Sequence, residues 1–369
     1  MSETRIVIAA GGTAGHVAPA LAVAGALRAE GAEVSFVGGT RAEAQLVPAA
    51  GYPLRTLSVE GLSRSNPLRA ARALARAAVA LPRARDILRE LAPAAVLGGG
   101  GYVSGPVGLA AVSLGIPLVV TEADSHLGLA NRLLARRARR VCLAFPIAGR
   151  EGPRYRVTGR PIPFADAERE SAREHLGLEP EERCVLVFGG SLGARSINLA
   201  AVEGLEGLVE ESREGSKGES PVRVLHVAGR RDYGELAARE LPAGYDLREY
   251  LELEEFARAL AAADLAVARA GGSVFELAAY GVPAILVPYP HASADHQSVN
   301  ARWMADGGAA VVVQDRDLSG RRLREEVLAL LDDRRRMADM ESAARALARP
   351  EAARDVAGEV LRAARAAGR

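Results

Sequence analysis

Lysine is almost missing from this chain: of 369 residues only Lys217 carries it, so arginine supplies nearly every strongly basic side chain. Basic and acidic residues balance at 47 against 46, and a net charge of +1 gives no bulk field to draw in nucleic acid. Aromatics make up only 4%, while alanine, leucine, valine and glycine abound, a palette suited to helices packed on parallel sheets. The two cysteines, Cys142 and Cys184, are too few for a disulfide framework. Both lie in apolar runs, as expected of reduced, buried thiols in a cytoplasmic protein. The first strand signal, Arg5-Ile6-Val7-Ile8, starts almost at once, and no signal peptide is expected before it. One uncharged stretch, 91–120, is long enough to span a membrane. Its Gly98-Gly99-Gly100-Gly101, Gly105-Pro106 and Ile116-Pro117 break it instead into strand, loop, helix and strand.

What is present is a repeating strand–turn–helix pattern, in a chain too long for one ordinary core. Strands are expected at 5–10, 33–37, 94–97 and 117–120, with a helix at 19–28 after the glycine loop Gly11-Gly12-Thr13-Ala14-Gly15-His16. Two prolines in Arg160-Pro161-Ile162-Pro163 interrupt the pattern and mark a linker. A new series follows at 184–188, 222–228, 246–251, 265–268, 284–287 and 310–313, with a second glycine loop at 189–195. His226 falls within such a run and reads as a core residue; 213–220 reads as a polar surface loop. A closing helix after Pro350, at 351–367, is expected to pack back on the first half. The fold class is therefore α/β, with two doubly wound parallel-sheet domains. A dinucleotide fold is the competitor. It needs G-x-G-x-x-G and an acid ending the second strand, whereas this loop is GGTAGH and that strand ends in Gly38-Gly39-Thr40-Arg41.

The densest chemistry lies at 269–300, RAGGSVFELAAYGVPAILVPYPHASADHQSVN. A glycine turn at a strand's carboxyl end opens a helix, the place where a backbone can approach a diphosphate and helix N–H groups favour the anion. Glu276 is placed to accept hydrogen bonds from ribose, and Asp295, His296 and Gln297 to reach sugar hydroxyls. In the first half, Glu122 and Asp124 follow a strand, either as general bases or sugar contacts, or as caps of a helix starting near Leu127. Arginines 64, 69, 72, 76, 83, 85 and 89 alternate with alanine and leucine. That stretch reads either as a solvated helix face or as a surface for anionic lipid. The one Asp-x-Asp, Asp315-Arg316-Asp317, reads as a helix cap rather than a metal site, and no cofactor is expected.

GGTAGH followed by Pro19-Ala20-Leu21-Ala22, then Gly99-Gly100-Gly101-Tyr102-Val103-Ser104-Gly105-Pro106, then Gly190-Ser191-Leu192-Gly193-Ala194-Arg195, then the 269–300 segment, resemble in order the motifs of the bacterial lipid II-forming N-acetylglucosaminyltransferases. The resemblance spans essentially the whole chain. It implies a GT-B architecture of two Rossmann-like domains facing a cleft: 1–160, joined by helix 350–369, for the lipid I acceptor, and 161–349 for UDP-N-acetylglucosamine. It implies donor contacts from Thr13, Ala14, Gly15, His16, Asp124, Arg160, Ser191, Gly193, Leu251, Gly271, Gly272, Ser273, Val274, Glu276, His296, Gln297 and Asn300. Acceptor contacts would come from Gly12, Tyr102 and Ser104. It further implies partners in an anionic membrane surface and other cell-wall enzymes, and a peripheral place on the cytoplasmic face of the membrane. The reaction would invert the anomeric carbon, with His16 as first candidate for the base and Glu122 and Asp124 as alternatives. The chain departs from its relatives at Thr121-Glu122-Ala123-Asp124, where many read His-Glu-Gln-Asn. It departs again at Arg160-Pro161-Ile162-Pro163 in place of Asn-Pro-Val-Arg, and at His296 in place of a glutamine.

Overall fold

A computed structural model describes residues 4–12, 14–59, 67–163, 167–190, 192–214, 220–292 and 295–367, without the side chains of 67–78, 214 and 367. The chain divides into two compact units, Met1–Pro163 with Arg349–Arg369, and Phe164–Ala348.

The first unit is built on a wholly parallel sheet. Its strands are β1 Thr4–Ala9, β2 Ala32–Gly38, β3 Leu54–Thr56, β4 Ala95–Gly98, β5 Leu118–Glu122, β6 Arg140–Leu143 and β7 Tyr155–Val157. Their order is β3-β2-β1-β4-β5-β6-β7. Parallel strands need crossovers, so helices cover both faces and the strands read as unbroken apolar runs. Alternate side chains of β1 serve the two layers: Ile6 and Ile8 join the core under helices Ala14–Ala29 and Ala352–Ala367, while Val7 and Ala9 face helices Pro67–Leu91 and Ser104–Ser113. The second unit repeats the plan with β8 Arg183–Phe188, β9 Val222–Val227, β10 Tyr245–Arg248, β11 Leu265–Ala268, β12 Ala284–Leu286 and β13 Ala310–Val312, ordered β10-β9-β8-β11-β12-β13. In each sheet the order reverses at one place, between β1 and β4 and between β8 and β11. Chain leaves neighbouring strands toward opposite faces there and opens a crevice at their carboxyl ends.

Several expectations shift. The first helix begins at Ala14, five residues ahead of the position where Pro19 suggested a start. Pro19 has no N–H to give the Gly15 carbonyl four residues back. The Arg160 guanidinium donates to that carbonyl instead, which lets the helix run on through the proline. The short strands β3, β6 and β7 were not expected: each contains an arginine, which breaks the apolar run that marked the other short strands. The Asp-x-Asp is a single 3-10 turn, Asp315–Asp317, and Ser319, not an aspartate, caps the helix Gly320–Leu331. Asp315 pairs with Arg269 at 2.5 Å and accepts from the Ser196 hydroxyl at 2.6 Å. Of the stretch read as a surface loop at 213–220, Arg213 belongs to helix Arg195–Glu214, and 215–219 lie outside the described residues. His226 is fully buried between the Tyr245 hydroxyl at 2.9 Å and Asn198 Oδ1 at 3.1 Å, and burial pushes its pKa down to about 4. No helix among the described residues is long and apolar enough to cross a membrane.

The C-terminal helix is fastened by charge as well as by its apolar face. Glu359 is 4% exposed and takes hydrogen bonds from Arg140, Arg156 and Arg362 at 2.8, 2.8 and 2.7 Å. Burial acts to raise its pKa, but the three guanidinium groups outweigh it and hold it at about 2. Because the folded value lies below the ordinary one, the group stabilises the fold above about pH 4.5 and loses this as pH falls toward about 2. Glu359→Ala should lower the unfolding free energy at neutral pH by about 2 kcal/mol, a modest figure because the arginines remain partly exposed. Denaturant unfolding of both proteins at neutral pH and near pH 3 checks this. The gap should shrink on acidification, and a gap that stays constant would contradict the assignment.

Candidate active site

In the first unit, the turns after β1 and β4 press together at the reversal point. A Cβ on Gly101 would lie 1.7 Å from the Gly11 carbonyl oxygen, so only glycine fits, and Gly101 also holds a φ of +77°. Beside this contact a cavity of about 250 Å³ is lined by His16, Gly99, Gly100, Asp124, Asn131 and Arg160, among others. His16 stands in the first turns of helix Ala14–Ala29, its ring laid over Gly12 and Gly100. Burial lowers its pKa, Arg160 lowers it further, and Asp124 and Glu43 act the other way, leaving it below the ordinary 6.5. The imidazole is therefore neutral at physiological pH and able to accept a proton.

Glu122 does different work from that expected of a general base or a sugar contact. It is 7% exposed, and its carboxylate accepts the Gly128 N–H at 2.8 Å, the Asn131 amide at 3.0 Å and the Asp124 N–H at 3.2 Å. It braces the turn leading into helix Leu129–Leu134, which is the capping alternative. Burial raises its pKa against the pull of those donors. Ser104, expected at the acceptor, is 1% exposed; its hydroxyl accepts the Gly100 N–H at 2.9 Å and lies 2.8 Å from the Ala9 carbonyl, tying two turns together. Tyr102 is half-buried and donates to Glu43 at 2.9 Å. Arg160, expected at the donor, lines the first unit's cavity with His16 and Asp124. Ala14 and Gly15 open the helix that bears His16, and Thr13 lies outside the described residues.

In the second unit, the turns after β8 and β11 flank the other reversal point. Gly193, at φ +79°, passes under the end of β9, where a Cβ would sit 2.0 Å from the Ala228 carbonyl oxygen. Ser191 lies outside the described residues. Gly271 and Gly272 lead into helix Ser273–Tyr280, whose Glu276 is half-buried in its first turn. The Val274 and Phe275 N–H groups turn back to the Gly271 and Gly272 carbonyls at 3.4 and 3.2 Å. Val274 is therefore a weaker anion donor than expected; the amides of Gly272 and Ser273 stand at the open helix end. Gln297 Oε1 accepts the Tyr289 N–H at 2.9 Å, which places its amide beside Gly271. His296 starts the helix His296–Asp306, and Leu251 sits in the turn after β10. Asn300 was expected to touch the donor, yet it is 2% exposed and donates to the Ala270 carbonyl at 3.0 Å, fixing the glycine turn from behind.

Two residues central to these turns escaped the sequence reading. Glu43 is fully buried among the first unit's turns, and Arg269 binds the Val287 and Pro288 carbonyls at 3.1 and 3.3 Å, the Ser196 hydroxyl at 2.8 Å and Asp315. Glu43 lies outside the glycine motifs, and Arg269 opens the 269–300 segment without a role read for it. Apart from Gly39, four residues before Glu43, their partners lie far along the chain, so local spacing does not show what they bind.

Residues 6–143 match the glycosyltransferase family 28 N-terminal domain, and residues 184–356 match the glycosyltransferase family 28 C-terminal domain. The chain belongs to glycosyltransferase family 28. Among relatives in this family, a Moorella thermoacetica protein is 43% identical, covering 97% of this chain and 98% of its own length. A Methylococcus capsulatus protein is 44% identical over 96% of this chain and 97% of its own. Both are named UDP-N-acetylglucosamine–N-acetylmuramyl-(pentapeptide) pyrophosphoryl-undecaprenol N-acetylglucosamine transferase. Among solved structures, Acinetobacter baumannii MurG is 31% identical with a TM-score of 0.73, covering 98% of this chain and all of that one. Both family 28 domains thus fall on the two parallel sheets, and the expected glycosyltransferase fold and class hold.

Asn300→Ala should leave the Ala270 carbonyl without its buried partner and lower stability by about 1–3 kcal/mol. Denaturant unfolding checks this, and an unchanged midpoint would show that the turn holds without the amide.

Proposed function

We propose that this family 28 glycosyltransferase transfers N-acetylglucosamine from UDP-N-acetylglucosamine to the C4 hydroxyl of the muramoyl sugar of lipid I, giving lipid II and UDP. The observation that carries this reading is kinship at 43–44% identity along almost the full length of both relatives, which accounts for both units at once. The local geometry agrees with it. The second unit offers helix-end amides at Gly272 and Ser273 for the donor's diphosphate, with Glu276 beside them for ribose. The negative charge that grows on the leaving diphosphate is met by these fixed dipoles, which need no rearrangement as the bond breaks. The first unit offers a cavity with a neutral histidine at its mouth. The acceptor hydroxyl gives its proton to His16 as its oxygen attacks the anomeric carbon from the side opposite UDP. Inversion follows. Asp124, close enough to act on His16 electrostatically, favours the imidazolium that forms.

Transfer of radiolabel from UDP-N-acetylglucosamine to a short-chain lipid I analogue tests the reading directly. His16→Ala should lower kcat about 10²–10⁴-fold, the range for loss of a general base. Glu276→Ala should chiefly raise the KM for the donor. In the unmodified enzyme the acid limb of the kcat profile should fall below pH 6.5, because the histidine's pKa is lowered. A His16→Ala variant with normal turnover would remove it as the base.

The acceptor is a polyprenyl lipid, so we also place the enzyme peripherally on the cytoplasmic face of the membrane. Leu109, Leu129 and Leu133 are 47%, 49% and 59% exposed on helices Ser104–Ser113 and Leu129–Leu134, which pack against one another. Exposed Arg132 lies on the second of these, and exposed Arg136 and Arg137 follow it. In the arginine-rich helix Pro67–Leu91, the described end turns Ala80, Ala84, Ile87 and Leu88 inward and leaves Arg83 and Arg89 outside. Arg64 and the side chains of Arg69, Arg72 and Arg76 lie outside the description. Cosedimentation with anionic vesicles should weaken when Leu129, Arg132 and Leu133 are replaced by serine; undiminished binding would place the contact elsewhere.

A further inference from the structure

Three glycine-bearing turns of the first unit meet at one carboxylate. Glu43 lies in the first turn of helix Ala42–Ala49 and is 0% exposed. Its Oε2 accepts the Gly12 N–H at 2.8 Å; its Oε1 accepts the Gly39 N–H at 2.8 Å and the Tyr102 hydroxyl at 2.9 Å. Gly12 follows β1, Gly39 follows β2 and Tyr102 follows β4, three strands adjacent in the sheet. A single side chain therefore ties the tips on both sides of the reversal point. The packing leaves no slack: a Cβ on Gly39 would sit 2.0 Å from the Tyr102 hydroxyl, and one on Gly11 would sit 2.9 Å from Glu43 itself.

The charge is stable in this place. Burial works to raise the pKa of Glu43, but the donors surrounding it prevail and lower it, so the carboxylate stays ionised. Tyr102 is pushed up to about 12, by burial first and by Glu43 second, and remains a donor. Arg41 lies over its ring, 5.1 Å from the centroid. An apolar residue at position 43 would leave three buried donors unpaired, the costly arrangement.

What these turns support is the His16 ring. Hypothetical Cβ atoms on Gly12 and Gly100 fall 3.7 Å from its Nδ1 and 3.3 Å from its Cδ2, so Gly12, which Glu43 grips, and Gly100, one residue before Gly101 and two before the Tyr102 that Glu43 also binds, form the floor beneath the imidazole. We propose that Glu43 is a positioning residue for the acceptor half of the reaction: by holding Gly12, Gly39 and Tyr102 together it sets His16 and the cavity wall, without itself touching donor or acceptor. This rests on the reading of the first unit as the acceptor's site.

The test is steady-state transfer with the lipid I analogue and UDP-N-acetylglucosamine varied separately, together with titration of UDP as a probe of the second unit. Glu43→Gln keeps the shape but sets an amide donor against N–H and O–H donors. It should raise the acceptor KM about tenfold and lower kcat, the scale of one lost charge-assisted hydrogen bond. UDP affinity should stay within about twofold, since the second unit binds it independently of these turns. Tyr102→Phe should show a smaller effect, and the double variant should be no worse than Glu43→Gln alone, because both act through one contact. If Glu43→Gln folds poorly, Glu43→Asp retains the charge one methylene short and should give an intermediate acceptor KM, with kcat counted per UDP-binding site. A lowered melting temperature with acceptor KM and kcat unchanged would make Glu43 a core residue only and overturn the proposal. Wild-type protein that transfers nothing to the analogue would overturn the acceptor reading along with it.

Discussion

Close approach of backbone to backbone at the strand tips is the constraint on which this enzyme depends. Gly101 against Gly11 in the first unit and Gly193 against Ala228 in the second leave no space even for a methyl group. Such contact does two things. It brings peptide N–H groups and helix ends to the mouth of each crevice, and it makes the floor of each site out of main chain, which moves less than side chains do. Amides arranged in this way carry no net charge, yet they would meet the diphosphate of the proposed donor with fixed dipoles.

Around those turns, polar side chains act as rivets. Buried Glu43 and Ser104 in the first unit, and buried Asn300 with half-buried Arg269 and Asp315 in the second, join segments from different strands, while buried Glu122 braces the turn that follows its own strand. Glu43, Glu122 and Ser104 each make three hydrogen bonds or carbonyl contacts within the protein, and these hold the turns in place. A carboxylate beside an active-site cavity is easily read as a catalyst, and Glu122 shows the hazard: its oxygens are committed to Gly128, Asn131 and Asp124. Arg160 shows a related one. Its guanidinium gives the Gly15 carbonyl the donor that Pro19 cannot.

Much of this was legible from residues alone. Apolar runs bounded by glycine gave the longer strands, because parallel strands buried on both faces must be apolar throughout. Gly281 stopped its helix with a left-handed φ of +69°, as a glycine there should. His226 was readable as a core residue from its place in such a run. Among the four three-residue strands, β12 and β13 lie in unbroken apolar runs, whereas β3 and β7 each carry an arginine in the middle and have no such run to detect.

The amino-acid sequence by itself determined the repeated strand–turn–helix plan, the two-part organisation, and the glycine motifs that resemble those of the lipid II-forming enzymes. These are local properties: periodicity, breakers and short spacings are written in consecutive residues. Tertiary structure alone decided which polar groups face a ligand and which face protein. Glu43 meets Tyr102 across 59 positions and Asn300 meets Ala270 across 30, and hydrogen bonds at such separations exist only once the sheet order has brought the strand tips together.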